Sequence, residues 1–196
     1  MRRNFTTPIP AMKKCRVPES DEGELIRRVG AGEQAAFEKI YLRYHERLFR
    51  FVYRVTRRLD TVEEVIQDTM LVVWESSERY DHSCKLSTWL FGIAYRKALK
   101  SLAKSARLDK ERDLADYEEF LADAAPSPAQ QAEHDNWLSA ALGRLPPDQR
   151  AVIELTFHQG LHYREIGEIL GCPENTVKTR MFHARKKLQR FAASVP

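Results

Sequence analysis

Tyr163-Arg164-Glu165-Ile166-Gly167-Glu168-Ile169-Leu170-Gly171-Cys172-Pro173-Glu174-Asn175-Thr176-Val177-Lys178-Thr179-Arg180 reads as two short helices joined by a tight turn, the second rich in cations. In the first helix, Ile166, Ile169 and Leu170 fall on one face at helical spacing, and Gly167 lets the second helix approach closely. Gly171 supplies a left-handed C-cap, and Pro173 suits the first turn of the next helix. In that second helix Val177, Met181, Ala184 and Leu188 recur at core spacing. The opposite face carries Asn175, Thr176, Lys178, Thr179, Phe182, His183 and Lys186, donors and cations suited to base edges and phosphates. A plain solvated amphipathic helix would share the charge. It would not need the paired short helices, the glycine turn and the small residue at the close contact, which together read as a duplex-DNA-binding helix-turn-helix.

The 196 residues of the whole chain suffice for one ordinary domain or two small ones, and 43% of them are hydrophobic. No run approaches the roughly eighteen apolar residues that span a bilayer, and the N-terminus lacks the apolar core of a secretion signal, so a cytoplasmic protein without membrane insertion is expected. Cys15, Cys84 and Cys172 are too scattered for a disulfide framework or a zinc site and read as free thiols.

The net charge of +4 hides a segregation. Residues 60–78 hold six acids (Asp60, Glu63, Glu64, Asp68, Glu75, Glu78) and no lysine or arginine. Residues 92–107 hold five cations (Arg96, Lys97, Lys100, Lys104, Arg107) and no acid. Residues 109–135 carry nine acids against Lys110 and Arg112, a net of minus seven, and include Ala124-Ala125-Pro126-Ser127-Pro128-Ala129, a linker composition. An all-α chain is expected: a disordered extension over residues 1–20, a first helical domain over 21–107, a flexible acidic linker over 108–135 and a second helical domain over 136–196. In the first domain Phe37, Ile40, Tyr41, Tyr44, Leu48, Phe51, Val52 and Val55 form one apolar stripe, and Val62, Val65, Ile66, Thr69, Met70 and Val73 form another. A third helix begins near Leu86, with Leu86, Leu90, Ile93 and Ala94 inward and the cations projecting from its later turns.

These residues resemble the extracytoplasmic-function sigma factors of bacterial RNA polymerase, which carry only the second and fourth conserved sigma-70 regions. Glu63-Glu64-Val65-Ile66-Gln67-Asp68 followed by Trp74 is similar to the family's polymerase-docking helix. Leu86-Ser87-Thr88-Trp89-Leu90 followed by Ile93-Ala94 is similar to its promoter-melting segment. Leu145-Pro146-Pro147-Asp148-Gln149-Arg150, Tyr163-Arg164-Glu165-Ile166 and Thr176 through Arg185 resemble the fourth region.

The resemblance implies a task for each charge block. Asp60, Glu63, Glu64, Gln67 and Asp68 would dock core RNA polymerase through the clamp helices of its large subunit, with a further contact between the second domain and the flap. The loop Tyr80-Asp81-His82-Ser83-Cys84-Lys85 would capture a flipped base of the minus-10 element, with Tyr80, Asp81, His82, Ser83 and Lys85 contributing. Arg96, Lys97 and Lys100 would hold the displaced strand. Thr176, Lys178, Thr179, Arg180, Phe182 and His183 would read the minus-35 duplex, while Arg185 and Lys186 would contact its backbone. An anti-sigma factor, often membrane-anchored, is implied as a further partner. The chain departs from the pattern at Tyr95-Arg96, where many relatives place Arg-Asn, at His183, often arginine, and at Pro173, commonly a capping Ser or Thr.

No phosphate-binding loop, nucleophile elbow or His-Glu-x-x-His pattern occurs, so no catalytic residue, metal or cofactor is expected. His158 and His162 flank Gly160 without a third ligand and read as loop. Two other functional classes stay open: a conventional duplex-DNA regulator, which leaves the acidic block without a task, and a sigma mimic that sequesters an anti-sigma factor, which would not need Lys178, Arg180 or the basic stripe.

Overall fold

The computed structural model describes residues 21–113 and 140–193. The N-terminal extension and residues 114–139, which include most of the expected linker, lie outside the described residues. Helices α1 (Asp21–Gly30), α2 (Gln34–Thr56), α3 (Val62–Ser76) and α4 (Leu86–Asp113) form the first group. After a helical turn at 140–143 come α5 (Pro147–Phe157), α6 (Tyr163–Leu170) and α7 (Glu174–Ala193). No strand occurs among the described residues, in keeping with the all-α expectation.

The first group is a bundle built on the two sequence stripes. Ile40, Tyr44, Leu48, Phe51, Val52 and Val55 of α2 are all buried, as are Val62, Val65, Ile66, Thr69, Met70 and Val73 of α3. Each large apolar side chain so buried stabilises the fold by about 1.5–3 kcal/mol before entropy is counted. Phe51 meets Phe91 of α4 edge-on at 5.1 Å, joining α2 to the helix that carries the cations. Thr69 sits in this core because its hydroxyl donates to the Val65 carbonyl at 2.7 Å. Helix α1 carries acids in its first turn and arginines in its last, matching the helix dipole, and Tyr44 of α2 donates to its Glu22 at 2.7 Å. Helix α2 ends on Arg57 in the left-handed conformation (φ 60°), whose N–H caps the Tyr53 carbonyl. Helix α4 continues to Asp113, past the boundary at Arg107 that composition suggests.

In the helix-turn-helix, α6 ends at Gly171 with φ 66°, as the sequence requires. Gly167 has a sharper reason: a Cβ there would lie 2.7 Å from the Cys172 carbonyl oxygen, so only glycine lets the turn fold back on α6.

The sequence gives no sign of how the two groups meet, and in the structure they share one core. Helix α5 is buried continuously from Arg150 to Leu155, because α2 covers one side and α7 the other. Arg150, 9% exposed, sends Nη2 and Nε to the Val55 carbonyl at the end of α2 (2.6 and 3.1 Å) and Nη1 to the Leu145 carbonyl (3.0 Å). Arg47 of α2 donates to the side chain of Gln159 at 3.0 Å. Glu154 is 1% exposed, with Arg54 Nε 3.2 Å and His158 Nδ1 3.1 Å from its Oε2. The angles are poor and neither carboxylate oxygen makes a hydrogen bond, so these are ion-pair contacts.

Burial pushes the Glu154 carboxyl up to about 7 against the opposing pull of Arg54 and Arg50, while burial holds His158 below its ordinary value. Because the folded value of Glu154 is raised, its contribution is fully present below the ordinary carboxylate range and is lost as pH rises through about 7. His158 works in the opposite sense. Glu154→Gln should therefore gain stability relative to the parent on going from about pH 5 to about pH 8. Urea midpoints across that range measure it, and a parent–variant difference independent of pH would refute the assignment.

Candidate docking and nucleic-acid interfaces

Helix α3 turns its apolar stripe inward and so presents Glu63, Glu64, Gln67 and Asp68 to solvent, with Asp60 exposed in the turn before it. These are the five residues expected to dock the polymerase, and they lie along one ridge. The ridge is partly neutralised from within the chain. Lys97 Nζ of α4 is 3.1 Å from Asp68, Lys104 Nζ is 3.9 Å from Glu64, and His45 is 3.4 Å from Glu63. Arg58 beside Asp60 holds that carboxyl below its ordinary value. Such exposed pairs contribute about 0–1 kcal/mol each and yield readily to a competing partner. Among them stands Leu71, 54% exposed and one turn beyond Gln67 and Asp68. The sequence reading missed it, although its place outside the buried stripe of α3 is a usable signal: an apolar residue on a charged ridge is contact area without a core function.

The loop after α3 is built around Tyr80. Its hydroxyl donates to the Cys84 carbonyl at 2.5 Å, and its ring packs against Trp89 (5.3 Å) and His82 (4.7 Å). Asp81 accepts from the Ser83 N–H at 3.0 Å, and His82 takes φ 57° to close the turn. Tyr80 and Ser83 are therefore interior scaffolding, while Asp81 and Lys85 are exposed and His82 is half-buried. Both were candidates for the minus-10 contact; Tyr80 is held inward by its bond to the Cys84 carbonyl, and Ser83 is packed inside the loop. Burial pushes the Cys84 thiol up to about 12, which keeps it protonated and inert at neutral pH.

On α4, Lys100 is exposed, but Lys97 leans on Asp68 and Arg96 is half-buried. Burial draws the Arg96 guanidinium below its ordinary pKa. Lys85 at the mouth of the loop is paired with Glu165 of α6 at 2.8 Å. The cationic stripe thus divides into an open part and a part held by the chain itself.

On α7, Asn175, Lys178, Thr179, Phe182, His183 and Lys186 form one exposed face. Phe182 is 62% exposed, its ring 5.5 Å from His183, and offers apolar contact of the kind that meets a thymine methyl. Lys178 pairs with Glu174 at 2.8 Å, and the Thr179 hydroxyl is engaged by the Asn175 carbonyl. Thr176 is half-buried, and Arg185 lies exposed with its guanidinium 5.9 Å from the Phe157 ring. Arg180 departs from expectation: its Nε is 3.0 Å from Asp148 and its Nη1 3.4 Å from Cys172 Sγ, so it braces the turn against α5 instead of facing outward.

The family model for Sigma-70 region 2 matches residues 40–108, and that for Sigma-70, region 4 matches residues 135–188. The ECF RNA polymerase sigma factor SigW of Bacillus subtilis is 30% identical over 174 residues, which is 84% of this chain and 93% of the relative. The chain belongs to the extracytoplasmic-function sigma factors. Among solved structures it is similar to the sigma factor RpoE in complex with the anti-sigma factor NepR from Bartonella quintana, with a TM-score of 0.67 and 26% identity over 82% of this chain and 98% of that one. It shares its fold with CnrH in complex with the cytosolic domain of CnrY, with a TM-score of 0.64 and 24% identity over 88% and 97% of the two chains. In this sigma factor, then, the acidic ridge and the Tyr80 loop fall within region 2 and the exposed face of α7 within region 4.

Replacing Tyr80 by Phe removes the donor to a buried carbonyl and should cost about 1–3 kcal/mol. A urea midpoint lowered with unchanged m would register it; an unchanged midpoint would show that the hydroxyl does not hold the loop.

Proposed function

We propose that this sigma factor directs core RNA polymerase to promoters by dividing the work among three surfaces. The ridge of Asp60, Glu63, Glu64, Gln67, Asp68 and Leu71 docks the polymerase. Asp81, His82 and Lys85 with Arg96, Lys97 and Lys100 engage the opened minus-10 strand. Lys178, Thr179, Phe182, His183, Arg185 and Lys186 read the minus-35 duplex. The observation that carries the reading is the separation of an acidic ridge on α3 from two cationic faces, on α4 and α7, within a chain that belongs to this family. A partner that is itself a polyanion binder meets the acids; DNA meets the cations.

The chain contributes recognition and strand capture, while bond formation belongs to the polymerase. Among the described residues no group of three metal-ligating side chains occurs, and no helix is long and apolar enough to cross a membrane. We place it in the cytoplasm on this reading. Regulation by an anti-sigma factor is part of the proposal and is supported by the Bartonella relative, which was solved bound to one.

Purified chain mixed with core polymerase and fragmented genomic DNA should give initiation at discrete start sites; none at any fragment would overturn the reading. Leu71→Ala should weaken capture of core polymerase about tenfold, a loss of roughly 1.4 kcal/mol, without moving the melting temperature, since Leu71 is exposed. Equal loss of melting temperature and capture would mark it as structural. Lys178→Ala should flatten the salt dependence of promoter binding by about one phosphate contact. An unchanged slope would remove Lys178 from the phosphate set.

A further inference from the structure

Three cations have no task on the surfaces above: Arg144, in the turn before α5, and Lys187 and Arg190, on the late turns of α7. All three are exposed, and among the described residues none makes an ion pair. They rim one groove of about 270 Å³, whose floor is Ala141, Leu145 and Phe191. The Arg144 guanidinium stacks over the Phe191 ring at 4.4 Å, and stacking does not use the N–H groups in its plane. Small-molecule sites run to about 300–1,000 Å³. This groove is smaller and cation-rimmed, so it suits a single aromatic side chain inserted from an acidic peptide.

The chain carries such a peptide beside it. Leu114-Ala115-Asp116-Tyr117-Glu118-Glu119-Phe120-Leu121-Ala122-Asp123 has four acids, no cation and two aromatic rings. On one side it continues through residues 124–139 into the helical turn at 140–143, which supplies Ala141 to the groove. A connection of that length reaches up to about 50 Å, ample for folding back. On the other side it follows α4, whose Lys104 Nζ lies 3.9 Å from Glu64 in the first turn of α3. The same end of the bundle holds the end of α2, where the Val55 carbonyl takes Arg150, and Arg150 in turn takes the carbonyl of Leu145 on the groove floor. Helix α4 therefore delivers the segment to the end of the molecule at which the groove lies.

We propose that residues 114–123 seat in this groove, one aromatic ring on the apolar floor and the acids among Arg144, Lys187 and Arg190. Exposed charge pairs are weak singly. The tether compensates: it holds the segment at an effective concentration on the order of 1 mM, so a contact with a dissociation constant of about 1 mM between separate molecules is half occupied within the chain. While seated, the segment shields the three cations from other acidic partners and withholds its own acids from basic ones. The proposal uses no residue of the DNA- or polymerase-facing surfaces and stands apart from their assignment.

Limited proteolysis of the full-length chain by chymotrypsin, which cuts after Tyr117 and Phe120, reads the seating. The double variant Lys187→Glu with Arg190→Glu should be cut there several-fold faster than the parent at about 50 mM salt, with its melting temperature unchanged because both side chains are exposed. Equal cutting of the two folded proteins would overturn the proposal. Should that variant fail to fold, a fluorescein-labelled peptide of residues 114–123 decides. It should bind the triple variant Asp116→Asn, Glu118→Gln, Glu119→Gln several-fold more tightly than the parent, whose groove is filled by its own segment, and more weakly as salt rises. Equal affinity for both chains, or binding to neither, would overturn the seating. Protection of the parent that disappears on dilution would give the seat to a second copy and overturn the tethered arrangement.

Discussion

Helix α5 has almost no face in water, and the arrangement of every functional surface depends on that. Its residues from Arg150 to Leu155 are buried between α2 and α7. A helix covered on two sides must find partners for any polar group it carries inward, because an unpaired buried donor or charge costs more than a hydrogen bond contributes. Arg150 finds carbonyls at the end of α2 and in the turn before α5; Glu154 finds only the guanidinium of Arg54 and the imidazole of His158, at ion-pair distance. The first arrangement is well satisfied and the second is not. Burial accordingly raises the Glu154 carboxyl.

Because α5 also packs on α7, seating it on α2 sets the helix-turn-helix against the bundle. Helix α6 then falls across α4 at Gly92, and its Glu165 reaches Lys85. Region 4 of this sigma factor thus lies over part of region 2, through contacts between residues far apart in sequence. The exposed face of α7 and the acidic ridge of α3 stay open. Several of the charges that would meet partners are meanwhile paired within the chain: Asp68 with Lys97, Lys178 with Glu174, Lys85 with Glu165. Each pair is weak in water and exchanges for a better-placed polyanion or polycation at little cost.

Much of the fold was legible beforehand. The two apolar stripes of α2 and α3, the start of α4 and the paired helices around Gly171 are dictated by periodicity and turn chemistry, and all of them form. The candidate surfaces were legible in outline, since acids and cations cluster by segment along a helix and a helix turns whatever is not apolar toward water. Single residues were less so. Ser83 and Arg180 look polar and available in the sequence, yet the packed interior of the Tyr80 loop and an aspartate on another helix respectively draw them in, and Tyr80 itself is held by the Cys84 carbonyl. Leu71, apolar but off the buried stripe of α3, stands outside the core.

The helices, their inward faces and the signs of the three charged surfaces are written in the chain itself, because these depend on neighbours three or four positions away. Which charges are available is settled by the folded molecule, since Lys85–Glu165, Arg180–Asp148 and Arg150 on the Val55 carbonyl join residues tens of positions apart in the chain. No local pattern encodes such pairings; they exist only once burial of α5 against α7 and α2 has brought the helices together.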